Sequence, residues 1–289
     1  MKKRLKKILS DIIPTEDLTY IYNSYDFVGD IAILRLTDAS KKYSATIAET
    51  VMNLHKNVKT ILAQTSPVHG DFRVRKLEYV AGENKTTTIH KESKCMFSVD
   101  VEKCYFSPRL FYERMRIAKL VEYDEIILNM FAGVGCFSII VAKHSNAKKV
   151  YSIDVNSLAI HHMQENVRLN GVYGRVIPMF GDAKEVIEKR LCHVADRVLM
   201  PLPEKALEYL PYALVALKEV GGWIHYYDFA HAKQDENPME KVKSKVAEKL
   251  RSLVGDFKIP FGHVVRSTGP NWYQVVLDIK ANPRGNPKL

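Results

Sequence analysis

The stretch that decides the fold is Ile126-Ile127-Leu128-Asn129-Met130-Phe131-Ala132-Gly133-Val134-Gly135, which runs on into Cys136-Phe137-Ser138-Ile139-Ile140-Val141. A short apolar run ends in a glycine-rich turn, and apolar residues resume at helical spacing with Phe137, Ile140 and Val141. So short a run, bounded by glycines, reads as a strand buried on both faces. Glycines directly after such a strand let backbone N–H groups approach a ligand at the carboxyl end of a sheet. The Gly-x-Gly spacing lacks the third glycine of the dinucleotide fingerprint, so the turn by itself names no ligand.

Outward from this turn the same alternation repeats. Val150–Asp154, Val176–Phe180, Arg197–Met200 and Trp223–Phe229 read as strands. Helical patterns lie between them: one with Ser157 as candidate N-cap, Ala159, Met163 and Val167 on one face and Asn170-Gly171 as its stop, one from about Glu204 to Val220, and a last one from about Pro238 to Val254. Strands alternating with helices at this spacing predict a doubly wound, mostly parallel α/β sheet. Two closing strands, near His263–Arg266 and Trp272–Ile279, have no helix between them and predict an antiparallel hairpin at one side.

The first 105 residues follow another pattern. A short basic helix precedes Tyr20-Ile21-Tyr22, Gly29-Asp30 turns into Ile31–Leu36, and Tyr43–His55 has helical spacing. Strand-like stretches follow at Val58–Ala63, Phe72–Val80, Thr86–His90 and Met96–Val99. We therefore expect an α+β domain over residues 1–105 and a Rossmann-like domain over residues 106–289.

Composition narrows the class. The chain has 289 residues, with 43 Lys plus Arg against 33 Asp plus Glu, a net +10. At 46% hydrophobic residues it can bury a sizeable core. The positive surplus makes a polyanion a candidate partner. Residues 1–105 carry 17 basic and 13 acidic side chains, so the surplus is shared between the halves. Two stretches are locally basic: Lys2–Lys7, and Lys59–Lys76 through Lys59, Arg73, Arg75 and Lys76 against Asp71 alone. No apolar run is long enough to span a membrane. Ile8–Ile13 is broken by Ser10 and Asp11, so no signal-peptide core follows the basic N-terminus and a cytoplasmic protein is expected. Cys95, Cys104, Cys136 and Cys192 form no Cys-x-x-Cys pair, and no metal site is expected.

Two carboxylates sharpen the reading of the glycine turn. Asp154 ends the second strand about 20 residues on, where it can accept both hydroxyls of an adenosine ribose. Asp182, in Phe180-Gly181-Asp182-Ala183, ends the third, where it can accept from an adenine amine. Glycines, Asp and Asp after three successive strands fit S-adenosyl-L-methionine better than NAD.

The segments around this core resemble the archaeal and eukaryotic-type tRNA (guanine-37, N1)-methyltransferases and their wyosine-pathway relatives. The resemblance is carried by Gly70-Asp71-Phe72-Arg73, Ala81-Gly82-Glu83-Asn84, Tyr105-Phe106-Ser107-Pro108-Arg109-Leu110 continuing to Glu113-Arg114-Met115-Arg116-Ile117, Met130–Gly135, Ile153-Asp154-Val155-Asn156 and Ile224-His225-Tyr226-Tyr227. It implies an RNA-contacting domain followed by a methyltransferase domain, with S-adenosyl-L-methionine as cofactor and the anticodon stem-loop of tRNA as partner. Members often carry a further small N-terminal domain, for which this chain is expected to be too short.

Chemistry says what such a site needs. Guanine N1 carries a proton and its lone pair is tied into the ring amide. Methylation there calls for a base to take the proton and a donor to hold charge building on O6. The resemblance assigns these roles to Glu113 and Arg73. It places Arg114, Asn129, Phe131, Gly133, Gly135, Asp154, Val155, Asp182, Ala183 and Pro201 around the cofactor. Read without the family, Glu113 is more simply a solvated helix residue pairing with Arg109 or Arg116. The family usually has Asn where this chain has Pro201, in Met200-Pro201-Leu202-Pro203, and proline supplies neither a side-chain donor nor an N–H. Three hypotheses follow: N1 methylation of guanine-37 by a monomeric enzyme; aminocarboxypropyl or C7-methyl transfer to a modified guanine-37 in wyosine synthesis; and a tRNA-binding protein with a vestigial cofactor site, which Pro201 alone favours. Trp223, His225, Tyr227 and Phe229 alternate onto one strand face, with His225 expected to be a hydrogen-bonded structural residue.

Overall fold

The computed structural model describes residues 5–68, 70 and 72–282. Lys2, Lys3, Arg4 and Asp71, named above in the basic stretches, lie outside them. The chain forms two compact units, Met1–Arg109 and Leu110–Leu289.

In the first unit, helices α1 (Leu5–Leu9), α2 (Thr15–Leu18) and α3 (Ser44–Leu54) accompany a mixed sheet of β1 (Asp26–Val28), β2 (Ile31–Arg35), β3 (Thr60–Gln64) and β4 (Leu77–Gly82), in that order. Strands β2 and β3 are parallel, joined through α3, and both outer pairs are antiparallel. Ile47, Ala48 and Val51 of α3 pack with Leu5 and Leu9 of α1 against Ala32, Leu34 and Ile61. That is the apolar spacing of a helix laid on a sheet. A hairpin of β5 (Thr87–Glu92) and β6 (Cys95–Asp100) completes the unit.

One expected strand is shorter than the sequence suggests. The alternation predicts extended chain over Phe72–Val80, but the strand begins at Leu77. Gly70 (φ 70°) and Arg73 (φ 53°) are both left-handed, and the Arg73 N–H donates to Gly70 O at 3.0 Å. A turn closed this way cannot continue a pleated strand.

The second unit is an α/β fold with a seven-stranded sheet. Its helices and strands are α4 (Phe111–Leu120), β7 (Ile126–Asn129), α5 (Cys136–His144), β8 (Lys149–Asp154), α6 (Ser157–Leu169), β9 (Val176–Phe180), α7 (Ala183–Arg190), β10 (Arg197–Met200), α8 (Ala206–Ala216), β11 (Gly222–His231), α9 (Pro238–Leu253), β12 (Asp256–Gly269) and β13 (Trp272–Asn282). The order is β12-β13-β11-β10-β7-β8-β9. Strands β7 to β11 pair in parallel, and the final hairpin joins antiparallel through β13, as its missing crossover required. The chain reverses its winding between β7 and β10, so a crevice opens at their carboxyl ends, where such sheets bind ligands.

Two local expectations are corrected. The cap of α6 is Asn156, not Ser157: the Asn156 side chain accepts from the Leu158 N–H at 3.0 Å. The helix expected to reach Val220 stops at Ala216. Val194 and Ala195 donate to Ala216 O, and Lys218 donates back to Ala195 O, so the chain leaves the helix to bridge beside β10.

Candidate active site

The carboxyl ends of four neighbouring strands bring the sequence candidates of the second unit together. After β7 the backbone turns through Gly133 (φ 56°) and Gly135 (φ 90°). A Cβ at Gly135 would stand 2.7 Å from Met163 Cγ, so this turn needs glycine for both conformation and space. Asp154, at the end of β8, ties the turn to its own strand. Oδ2 accepts the Gly133 N–H at 2.6 Å and Oδ1 the Asn156 N–H at 2.9 Å. Burial pushes its carboxyl up, against these backbone hydrogen bonds. Ribose hydroxyls are the kind of donor that would complete such an acceptor.

Asp182 caps α7. Its Oδ1 accepts the Lys184 N–H at 2.8 Å and its Oδ2 accepts the Tyr209 hydroxyl at 2.7 Å. Ala183 is buried as the first residue of that helix. Val155 and Phe180 stand 44% and 63% exposed at the ends of β8 and β9, two apolar surfaces beside the two carboxylates. Phe131 meets the Tyr209 ring edge-on at 5.2 Å. Pro201 follows the last residue of β10. Asn129 is fully buried. It donates to Ser138 Oγ at 3.1 Å and accepts from the Phe131 N–H at 3.4 Å, so its amide shapes the turn from within.

Helix α4 supplies the other candidates. Arg114 is buried, its guanidinium 5.8 Å from the centre of the Phe137 ring on α5. Glu113 is only 4% exposed and crowded by donors. Tyr227 donates its hydroxyl to Oε1 at 2.7 Å, and Arg116 Nη2 reaches the same oxygen at 2.7 Å. Arg116 Nε lies 3.0 Å from both oxygens, and His263 Nε2 faces Oε2 at 3.3 Å. Burial alone would raise this carboxyl, but hydrogen bonds from His263 and Arg116, the Arg116 charge and the Tyr227 hydroxyl outweigh it and hold it at about 2. The i+3 pairing with Arg116 is thus made, as a buried contact and not a solvated one. Arg109 pairs with Asp26 in the first unit instead.

The cluster extends inward. Arg116 also clasps Asp278 on β13, Nη1 to Oδ2 at 2.6 Å and Nη2 to Oδ1 at 3.0 Å. His225 Nδ1 lies 2.6 Å from Asp278 Oδ1, and its Nε2 lies 2.8 Å from Arg197 Nη1, which is paired with Glu125. Burial lowers the His225 pKa, the Asp278 contact working against it. Asp278 itself is held well below the usual range: burial works upward, but His225 and Arg116 prevail. His225 is therefore the hydrogen-bonded structural residue that its position suggested.

Arg73 belongs to the first unit. It sits in the tight turn described above, its guanidinium 4.7 Å from the centre of the Tyr105 ring, where a cation meets the negative face of an aromatic.

Sequence reading missed Tyr227 and His263 as partners of Glu113, Asp278 as a partner of Arg116, and Phe180 near the strand-end carboxylates. For Tyr227 a signal existed, since it alternates onto one face with His225. For His263 and Asp278 none did, because they come from a hairpin remote in sequence.

Comparison with known proteins settles the family. The TRM5/TYW2 methyltransferase domain matches residues 88–254, and the TYW2 N-terminal domain matches residues 5–86. The chain belongs to the TRM5/TYW2 methyltransferase family. It is 36% identical over 93% of its length to the tRNA (guanine(37)-N(1))-methyltransferase Trm5b of Pyrococcus abyssi, covering 78% of that protein. It is 38% identical over 92% of its length to the tRNA 4-demethylwyosine(37)-methyltransferase Taw21 of Saccharolobus solfataricus, covering 97% of it. Among solved structures, the complex of aTrm5 with tRNALeu superposes with a TM-score of 0.83 at 37% identity, over 98% of this chain and 79% of that one. Trm5 of Methanocaldococcus jannaschii in complex with adenosine gives 0.79 at 35% identity, over 97% and 79%. Among the described residues, no helix of this TRM5/TYW2 member is long and apolar enough to cross a membrane.

Proposed function

We propose that this chain transfers a methyl group from S-adenosyl-L-methionine to N1 of guanine-37 in tRNA. The observation that carries the reading is Glu113: a buried carboxylate kept ionised by three neighbours, in a unit whose glycine turn and strand-end carboxylates suit an adenosine. The residues fit the cofactor. The Gly133–Gly135 turn leaves backbone room, Asp154 offers a buried acceptor, and Val155 and Phe180 offer apolar surface. When bound, S-adenosyl-L-methionine supplies a methyl group activated on a sulfonium.

The protein's residues do the rest. Asp154 accepts from the ribose, Asp182 from the adenine amine, and Arg114, Phe131, Ala183 and Pro201 border the same crevice. Arg73 donates to O6 and Glu113 takes the N1 proton. A carboxylate as weakly basic as Glu113 suffices because methylation makes the departing N1 proton strongly acidic. The target base leaves its stack to be reached, and basic side chains, Lys59, Arg75 and Lys76 among them, track phosphates with affinity that falls as salt rises. A monomer acting in the cytoplasm is part of the same proposal.

The test uses labelled cofactor and tRNA transcripts bearing guanine or adenine at position 37, with nucleoside mass spectrometry of the product. N1-methylguanosine from the guanine transcript alone is the expected result. No label on that transcript, with cofactor bound, refutes it. A second reading, transfer to the 4-demethylwyosine form of guanine-37, is favoured by the match along 97% of Taw21 and by the TYW2 N-terminal domain. Cofactor labelled separately in its methyl and carboxyl carbons, offered with both tRNA forms, separates the readings.

A further inference from the structure

A cavity of about 380 Å³ opens within the second unit, away from the strand ends that carry the cofactor candidates. Arg197 is the first residue of β10 and Trp223 the second of β11, so the cavity lies toward the amino ends of these parallel strands. Its walls include Trp223, Pro260 and Phe261, and Arg116, Arg197 and Asp278 line it as well. The side chains of Arg197 and Asp278 are only 3% and 7% exposed. Apolar walls around a few fixed polar groups, in a volume of roughly 300–1,000 Å³, are the marks of a small-molecule site.

The polar groups are not fully spent. A guanidinium carries five N–H donors. Arg116 uses Nε on Glu113, both Nη2 hydrogens on Glu113 and Asp278, and one Nη1 hydrogen on Asp278 Oδ2. Arg197 uses Nε and Nη2 on Glu125 and Leu120 O, and one Nη1 hydrogen on His225 Nε2. Each therefore keeps one Nη1 hydrogen without an acceptor among the described residues. Asp278 Oδ1 meets both Arg116 Nη2 and His225 Nδ1, whereas Oδ2 accepts only Arg116 Nη1, at 2.6 Å, and keeps a lone pair. A free donor and a free acceptor thus stand side by side on Arg116 and Asp278.

The charges are already matched. Glu113, Asp278 and Glu125 balance the two guanidiniums, so the cavity offers directed hydrogen bonds and no surplus positive charge for an anion. The ligand that suits it is flat and uncharged, with an N–H beside an acceptor on one edge. Unpaired nucleobases have this form, and proteins read them by aromatic contact and by hydrogen bonds to that edge.

We propose that this cavity is a second binding site, for a nucleobase, apart from the cofactor crevice. The base lies against Trp223 and Phe261, gives its edge N–H to Asp278 Oδ2 and accepts from Arg116 Nη1. Arg197 Nη1 serves a further acceptor on the ring. The base belongs either to a free nucleoside or to an unpaired position of an RNA.

The tests use the full chain without cofactor. The chain has two tryptophans, and Trp272 is 47% exposed, so Trp272→Phe leaves Trp223 to report alone. Uridine and cytidine should quench its fluorescence to saturation. 3-Methyluridine, which has lost the edge N–H, should bind at least ~10-fold more weakly than uridine. Calorimetry on the wild type repeats the ranking without the tryptophan variant. Phe261→Ala, at a ring 46% exposed, should weaken uridine binding about five- to tenfold. Saturation by neither nucleoside up to about 10 mM, 3-methyluridine binding as tightly as uridine, or a Phe261→Ala chain that binds as wild type overturns the proposal. A last arm adds a tRNA transcript to the uridine complex. Displacement of uridine, with weaker transcript binding by Phe261→Ala, assigns the site to an RNA base; simultaneous binding of both assigns it to a free nucleoside. No arm reads group transfer, so failure of the proposed function and failure of this site are separate results.

Discussion

Replacing Asp278 by Asn tests whether the buried cluster holds Glu113 in place. Asp278 accepts two hydrogen bonds from Arg116, at 2.6 and 3.0 Å, and lies 2.6 Å from His225, with a side chain 7% exposed. Asparagine keeps the volume but offers one acceptor and turns an N–H₂ donor toward Arg116 or His225. It also leaves Arg116 with only the Glu113 charge to balance it. Breaking one partner of a buried pair costs about 3–5 kcal/mol. Because Arg116 retains Glu113, the loss should fall near 3 kcal/mol at the lower end of that range. For a unit of this size, 1 kcal/mol shifts the melting temperature by roughly 2–4 °C, so a fall of about 6–12 °C is expected at pH 7. The pH dependence has a definite sign. The folded carboxyl lies below its ordinary value of 3.8, so its contribution is complete above that value and disappears as pH falls through the folded one. The gap between variant and wild type should therefore be full at pH 7 and shrink below about pH 4. Calorimetry of both proteins across this range is the assay. A variant melting within about 2 °C of wild type at pH 7, or a gap unchanged at pH 3, refutes the reasoning.

Three further outcomes follow from the same geometry. Glu113→Gln should lower single-turnover transfer at least ~100-fold while cofactor binding, read by calorimetry, stays within a few-fold; equal losses in both would mark Glu113 as structural. Asp154→Ala removes an acceptor that holds the Gly133 N–H and that we propose takes the ribose, and should weaken cofactor binding by about 10–100-fold, measured by titration calorimetry. Gly135→Ala forces a side chain onto a φ of 90° and against Met163, and should destabilise the fold by about 1–3 kcal/mol in denaturant unfolding.

Much of this molecule was legible one segment at a time. The turn Phe131–Gly135, the strand-end carboxylates Asp154 and Asp182, and the parallel order implied by strand–helix alternation each lie within a contiguous strand–loop–helix unit. Backbone geometry at the turn and the periodicity beside it are local properties, so the amino-acid order carries them. The turn at Gly70–Arg73 was hidden, because left-handed backbone at a non-glycine residue leaves no mark in composition. The end of α8 was hidden too, since it is set by hydrogen bonds to the separate segment at Val194–Ala195.

The chain by itself determined the α/β class, the ligand-binding end of the sheet, and Glu113 as a carboxylate of interest. What state that carboxylate occupies was decided by tertiary structure alone. Tyr227 is 114 residues from Glu113 in sequence, and Asp278 is 162 residues from Arg116. They meet because β13 inserts between β11 and β12 and brings the closing hairpin beside α4's charged face. Burial and opposing charge then act together on one group, and neither is a property of a residue's neighbours in the chain. A helix glutamate that would read as solvated becomes a buried anion, with one oxygen filled and the other covered by His263.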